Sequence, residues 1–334
     1  MRRRLLPALA TCVALAGVTA CGSGAGTGAG TDSSGGGDVD VVAAFYPLQY
    51  AVEQIGGDHV NVTGLTKPGV EPHDLELTAQ DVARVAKADA VVYLDGFQSA
   101  VDDAVDTQAK DRGFDVSTSA RLDLAASPDE HAGESTEHPG ESTTEHPGES
   151  PTEHDEHAGE STTDPHFWLD PKRYADVADA IAQRLSSLDA AHAADYQARA
   201  KDFTARLAAL DREFAAGLKT CTVHDLVTSH AAFGYLAQAY GLHQESITGL
   251  TPDADPSPAA LARIATFVKD EGVRTIYAET LVSPKVAQTL ARETGAKLAV
   301  LDPVEGLTND SAGKDYFEVM RSNLTTLRAG QDCA

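Results

Sequence analysis

Twelve histidines stand out in a chain of 334 residues, because imidazole is the commonest side-chain ligand for borderline-soft metals. Three of them sit singly where the pattern turns towards a helix. His73 lies in Pro68-Gly-Val-Glu-Pro-His-Asp-Leu-Glu, His166 in Asp164-Pro-His-Phe-Trp-Leu-Asp-Pro, and His230 closes Leu226-Val-Thr-Ser-His. Open α/β sheets gather ligands outside the carboxyl ends of their strands, so all three are read as strand-to-helix junctions that converge on one cleft. One such histidine alone would more often cap a helix or pack in a core. A carboxylate would complete a tetrahedral set: Asp302 and Glu305, both in Leu301-Asp-Pro-Val-Glu-Gly-Leu, and Glu279 at the end of Ile276-Tyr-Ala-Glu are the candidates. Three neutral imidazoles favour Zn²⁺, whereas an oxygen-rich set would suit Mn²⁺. Asp74 and Glu76 are the candidates to accept the outer N–H of an imidazole and hold its orientation.

A second group of histidines is chemically different. His131, His138, His146, His154 and His157 lie in an acidic tandem repeat over 129–164, in which His138-Pro-Gly-Glu-Ser-Thr-Thr-Glu is followed by His146-Pro-Gly-Glu-Ser-Pro-Thr-Glu. Such a tract has nothing with which to pack a core. Ordering it around each ion costs chain entropy, so it is expected to bind metal weakly and with variable stoichiometry, or to act only as a spacer.

The elements that must position the scattered histidines alternate strand and helix. Strands are predicted at Val39–Phe45, Val60–Leu65, Ala90–Leu94 and Phe114–Val116, with helices at Leu48–Ile55, Thr78–Ala88 and Phe97–Lys110. A second series of strands falls near Asp225–Thr228, Glu245–Ile247, Val273–Ala278 and Lys297–Leu301, with a helix over Ala231–Tyr240. The fold class is therefore α/β, with two lobes, each a mainly parallel sheet flanked by helices. Between them Tyr196, Phe203, Leu207, Leu210, Phe214 and Leu218 mark one face of a long helix with no Gly or Pro from Asp195 to Ala216. The expected domains are a lobe over 39–190, a linking helix over 191–219 and a lobe over 220–334. A helical strut is stiffer than strand crossovers, so limited domain motion is expected.

The first residues read as an export leader over 1–20: three arginines, an apolar run too short to span a membrane, and Val18-Thr19-Ala20-Cys21. A small-residue tripeptide ending in cysteine predicts cleavage before Cys21 and its lipidation, which anchors the chain to the outer face of the cytoplasmic membrane. Residues 21–38, rich in Gly, Ser and Thr, read as a flexible tether. Losing three of 26 basic residues with the leader and keeping all 51 acids takes the formal charge from −25 to −28, which excludes nucleic acid as a partner and favours cations. Cys221 and Cys333 remain for an oxidising compartment, where a disulfide between them is the economical reading and two free thiols the alternative.

The segments around His73, His166, His230 and Glu305 resemble the metal receptors of ABC importers, in particular the zinc-type solute-binding proteins related to ZnuA and, more distantly, TroA. The resemblance runs from about Val39 to the C-terminus and includes an acidic, His-rich insertion ahead of the second ligand. It implies two α/β lobes joined by a rigid backbone helix, with His73, His166 and His230 as ligands and the fourth position taken by a carboxylate of the last motif, Glu305 first and Asp302 second, or left to water. Manganese-type relatives usually carry Glu where His230 stands. The implied role is capture of Zn²⁺ by a monomer and delivery to a membrane permease. No Gly-rich Lys-Ser/Thr phosphate loop is present, so the ATPase is a separate chain. A secreted zinc hydrolase is the rival, but no His-Glu-x-x-His helix appears and no base is paired with a nucleophile, so no enzyme activity is expected.

Overall fold

The computed structural model describes residues 38–125 and 163–334. The first sheet contains β1 (Val39–Ala43), β2 (Val60–Gly64), β3 (Ala90–Tyr93) and β4 (Gly113–Asp115) in the order β2-β1-β3-β4. The second contains β5 (Asp225–Thr228), β6 (His243–Ser246), β7 (Thr275–Ala278) and β8 (Lys297–Val300) in the order β6-β5-β7-β8. Every pairing is parallel. The central strands are apolar along nearly their whole length, as a sheet covered on both faces requires: Val41, Val42 and Ala43 in β1, Ala90, Val91 and Val92 in β3, and Leu226 and Val227 in β5 are all buried.

In the first lobe the helices are α1 (Tyr46–Gly56), α2 (Ala79–Val85), α3 (Ser99–Gln108), α4 (Ser117–Ala120) and α5 (Pro171–Leu188). After α6 (Ala193–Leu218) come α7 (Gly234–Tyr240), α8 (Pro258–Asp270), α9 (Lys285–Thr294) and α10 (Tyr316–Gly330). Local chemistry sets their starts. Thr78 accepts the Asp81 N–H while Asp81 accepts the Thr78 N–H, a reciprocal cap on α2. Asp170 and Pro171 start α5, and Asp315 caps α10. β1 stops at Ala43, short of the predicted Phe45, because Phe45 already caps α1. No helix among the described residues is long and apolar enough to cross a membrane.

The apolar stripe read from the sequence is the buried face of α6: Tyr196, Phe203, Leu207, Leu210, Phe214 and Leu218, with Ala200 among them. That face packs along α5 and against α1 and α10. No pattern in the sequence marks that α10 returns to the helices of the first lobe. Tyr316 lies 4.8 Å from Tyr174 and Phe317 5.6 Å from Phe203, ring centre to ring centre. Burying each such side chain is worth roughly 1.5–3 kcal/mol, so the last helix ties the two halves together. Cys221 and Cys333 are bridged by a disulfide, which fixes the end of α10 beside the start of β5.

Candidate metal centre

The two sheets present the carboxyl ends of their strands to one place. His73 comes from the segment between β2 and α2, His230 follows β5, and Glu305 follows β8. His166 is positioned differently from expectation. Among the described residues no sheet strand leads directly into it; Thr163 forms an isolated antiparallel bridge with Ala125, and Asp164 N donates to Leu124 O at 2.9 Å. His166 then opens a 3-10 turn whose Phe167, Trp168 and Leu169 are wholly buried. Burial of three large side chains, rather than a strand, holds this ligand candidate. The Ala125–Thr163 bridge brings together the described chain on either side of residues 126–162.

His73, His166, His230 and Glu305 converge, each offering one donor atom within 4.8 Å of the others. Glu305 Oε1 is 3.5 Å from His73 Nε2, 3.0 Å from His166 Nε2 and 3.3 Å from His230 Nε2. His166 Nε2 is 3.3 Å from His73 Nε2 and 3.4 Å from His230 Nε2. Metal–donor bonds of about 2.05 Å in a tetrahedron give donor–donor edges of about 3.3 Å, so five edges fit a zinc-sized ion. His166, His230 and Glu305 are fully buried, and only His73 keeps some exposure, 12% of its side chain. Access to the cluster is therefore from the His73 side.

Hydrogen bonds outside the cluster decide what its inner atoms are. Asp164 Oδ1 accepts from His166 Nδ1 at 2.8 Å and from the His166 backbone N–H at 2.8 Å. Glu279 takes the same role on His230, accepting the backbone N–H at 2.9 Å and the Nδ1–H with its other oxygen. With the proton on Nδ1, a neutral ring turns its Nε2 lone pair inward. Two such lone pairs, a third imidazole and a buried carboxylate whose two oxygens have no hydrogen-bond donor form a concentration of acceptors that calls for a cation. Gly234 makes room for this arrangement, since a Cβ there would come to 2.5 Å from Asp164 Oδ2.

The electrostatics agree. Burial lowers the pKa of His73. Burial also works against charge on His230, but the carboxylates of Glu279 and Glu305 outweigh it and hold its pKa well above the ordinary value. Burial works against charge on His166 as well, but the Asp164 hydrogen bond and the nearby Glu305 carboxylate outweigh it and raise the pKa. Glu305 is burdened by burial, yet the three imidazoles, His230 foremost, hold it well below the usual carboxylate range.

Neither other carboxylate candidate joins the cluster. Glu279 is committed to His230, and Asp302 accepts the Val304 N–H at 2.8 Å and the Ser311 hydroxyl at 3.0 Å. Asp74 and Glu76 are exposed; the imidazole partners are Asp164 and Glu279 instead. Sequence reading also passed over Glu71. One of its oxygens accepts the His73 N–H at 3.0 Å, the other is buried without a partner, and burial together with the charge of Glu305 pushes its pKa up to about 8. The approach to Glu305 is strained: Val304, a buried β-branched residue, has φ of 58°, a conformation that costs on the order of 1–3 kcal/mol. Cys21 and the repeat histidines His131, His138, His146, His154 and His157 lie outside the described residues.

Two parallel α/β lobes that close on three histidines and a glutamate define a solute-binding protein of the metal-binding kind. The model of the family described as zinc-uptake complex component A, periplasmic (ZnuA), matches residues 41–330, and the chain belongs to that family. It is 39% identical over 304 residues to the zinc-binding protein AdcA of Streptococcus pyogenes serotype M6, covering 89% of this chain and 57% of that protein. The chain thus spans little more than half the length of the AdcA proteins it matches. It is 36% identical over 323 residues to the high-affinity zinc uptake system protein ZnuA of Bacillus subtilis, covering 96% of this chain and 95% of that one. Among solved structures, Zn(II)-bound AdcA from Streptococcus pneumoniae superposes with a TM-score of 0.69 at 32% identity, over 89% of this chain and 58% of that chain. The family is defined by a place in zinc uptake, not by a catalysed reaction.

Proposed function

We propose that this protein captures Zn²⁺ outside the cytoplasm, holding it between its lobes through His73, His166, His230 and Glu305, and passes it to an ABC permease driven by a separate ATPase. The observation that carries the reading is the convergence of His73, His166, His230 and Glu305, three of them fully buried, with five donor–donor distances of tetrahedral size. Four donors of the N₃O kind suit zinc; manganese prefers more oxygen ligands. The high-affinity uptake role named for the Bacillus subtilis relative is in keeping with this. In this reading Cys21 anchors the monomer to the membrane, α6 links the lobes stiffly, and the histidines of 129–164 collect metal weakly ahead of the main site.

Calorimetric titration of zinc into chelator-stripped protein tests it. One tight site per chain is expected, abolished in His230→Ala, with weak binding persisting through the repeat. Deleting 129–162, which spares Thr163 and the Asp164 that holds His166, should remove the weak phase alone. Tight binding that survived His230→Ala would overturn the ligand set.

A further inference from the structure

One hydrogen bond joins the chain segments that carry His166 and Glu305. Trp168, two residues past His166, donates its Nε1–H to the backbone oxygen of Pro303, two residues before Glu305, at 2.8 Å. Trp168 is fully buried, and its own backbone oxygen accepts the Tyr316 hydroxyl at 2.6 Å. The indole is therefore held at both ends. It stands edge-on to His166, ring centres 5.2 Å apart.

The segment it grips has no freedom of its own. The residue after Pro303 has a left-handed backbone, a conformation that ordinarily goes to Gly. Here that residue is Val304, with its side chain in the core. The conformation persists because several contacts over-determine it. Asp302 Oδ1 accepts the Val304 N–H at 2.8 Å. Asn323 accepts the Asp302 N–H at 3.0 Å and donates to the Asp302 carbonyl at 2.6 Å. Glu305, by contrast, has no hydrogen-bond donor on either oxygen, so its backbone and the cluster itself must fix its carboxylate.

We propose that Trp168 is a positioning residue for metal binding: its bond to Pro303, acting through the left-handed Val304 turn, sets the distance of the Glu305 carboxylate from the imidazoles. This rests on Glu305 being a ligand. A strained backbone kept next to a binding group is where such pre-organisation is expected. The latch also spans the lobes, since His166 belongs to the first and Glu305 to the second, so metal retention is tied to how the lobes are seated.

The test is a double-mutant cycle on the full chain. Trp168→Phe keeps an aromatic ring and removes the donor. It is expected to speed zinc release at least tenfold into excess chelator and to weaken the visible bands of the Co²⁺-loaded protein, which report four-coordinate geometry. In a Glu305→Ala background the same change should have no further effect on release. A lost packing contact would instead add to it. Val304→Gly, compared with Val304→Ala, frees the turn without touching the indole, and should speed release more than the alanine variant does. Unchanged release and Co²⁺ bands in Trp168→Phe, or full additivity with Glu305→Ala, would overturn the proposal. Should Trp168→Phe not fold, equal release from the two Val304 variants would overturn it. Absence of a tight site in the wild-type chain would instead defeat the zinc reading.

Discussion

Glu279 holds His230 twice, one carboxylate oxygen on the backbone N–H at 2.9 Å and the other on ring Nδ1. The first contact places the residue and the second fixes its tautomer and raises its basicity. Removing the charge while keeping the shape should therefore weaken the metal site without removing a ligand. Glu279→Gln is expected to lower zinc affinity about 10–100-fold while leaving one site per chain. A change below twofold in competitive titration would show that His230 is oriented by something else.

Zinc must displace protons. With the pKa of His230 held well above 6.5 and that of His166 raised, the zinc-free cluster carries protons at neutral pH that the bound form cannot keep. Titration at pH 7 in buffers of different ionisation enthalpy should report net proton release, and affinity should fall steadily as the pH drops. Binding without proton release would contradict the arrangement of charges described here.

The same shifts give the zinc-free protein a stability profile of definite sign. Raised pKa values at His166 and His230 contribute stability that is complete below 6.5 and is lost as the pH rises through their folded values. The lowered pKa of Glu305 contributes stability present above 4.5 and lost as the pH falls through its folded value. His73, lowered by burial, works against the first effect, since protonating it below 6.5 favours unfolding. Melting temperature without zinc should decline from pH 6.5 towards pH 9, and excess zinc should abolish the decline. Scanning calorimetry at several pH values checks both halves.

Glu71 offers a separate handle. Its carboxyl, pushed up to about 8 from an ordinary 4.5, must take up a proton on folding at neutral pH. That uptake costs stability progressively as the pH rises above 4.5. Glu71→Gln, which mimics the neutral acid, should raise the melting temperature of the zinc-free protein at pH 7 and leave it unchanged at pH 4. Equal melting temperatures at both values would mean that the carboxyl is already ionised.

The Cys221–Cys333 bridge closes a separation of 112 residues. Loop-entropy arguments assign such a cross-link about 4–5 kcal/mol. Cys221 precedes β5 and His230 follows it, so the bridge and the metal cluster lie at opposite ends of one strand. Cys221→Ser with Cys333→Ser should lower the denaturant midpoint substantially while zinc stoichiometry stays at one. Loss of the tight site would show that the strand transmits strain between its ends.

Alternating apolar runs separated by turns were enough to read the α/β class, because a strand buried on both faces and a helix buried on one must repeat their hydrophobic residues at fixed periods. The stripe from Tyr196 to Leu218 gave α6 for the same reason. His73, His166, His230 and Glu305 were legible as candidates because metal-ligating residue types stood where open α/β sheets gather ligands, beyond the ends of predicted strands. What the linear pattern lacked was distance. It left Asp302, Glu279 and Glu305 equivalent in kind, and only the folded chain gives Asp302 to Val304 and Ser311, Glu279 to His230, and Glu305 to the cluster. It misjudged what supports His166, because an isolated bridge and three buried side chains leave no period to read. Local composition thus determined which residues were able to bind a metal. Tertiary packing, through contacts between residues more than a hundred positions apart such as Trp168 and Pro303, decided which of them meet and in what protonation state.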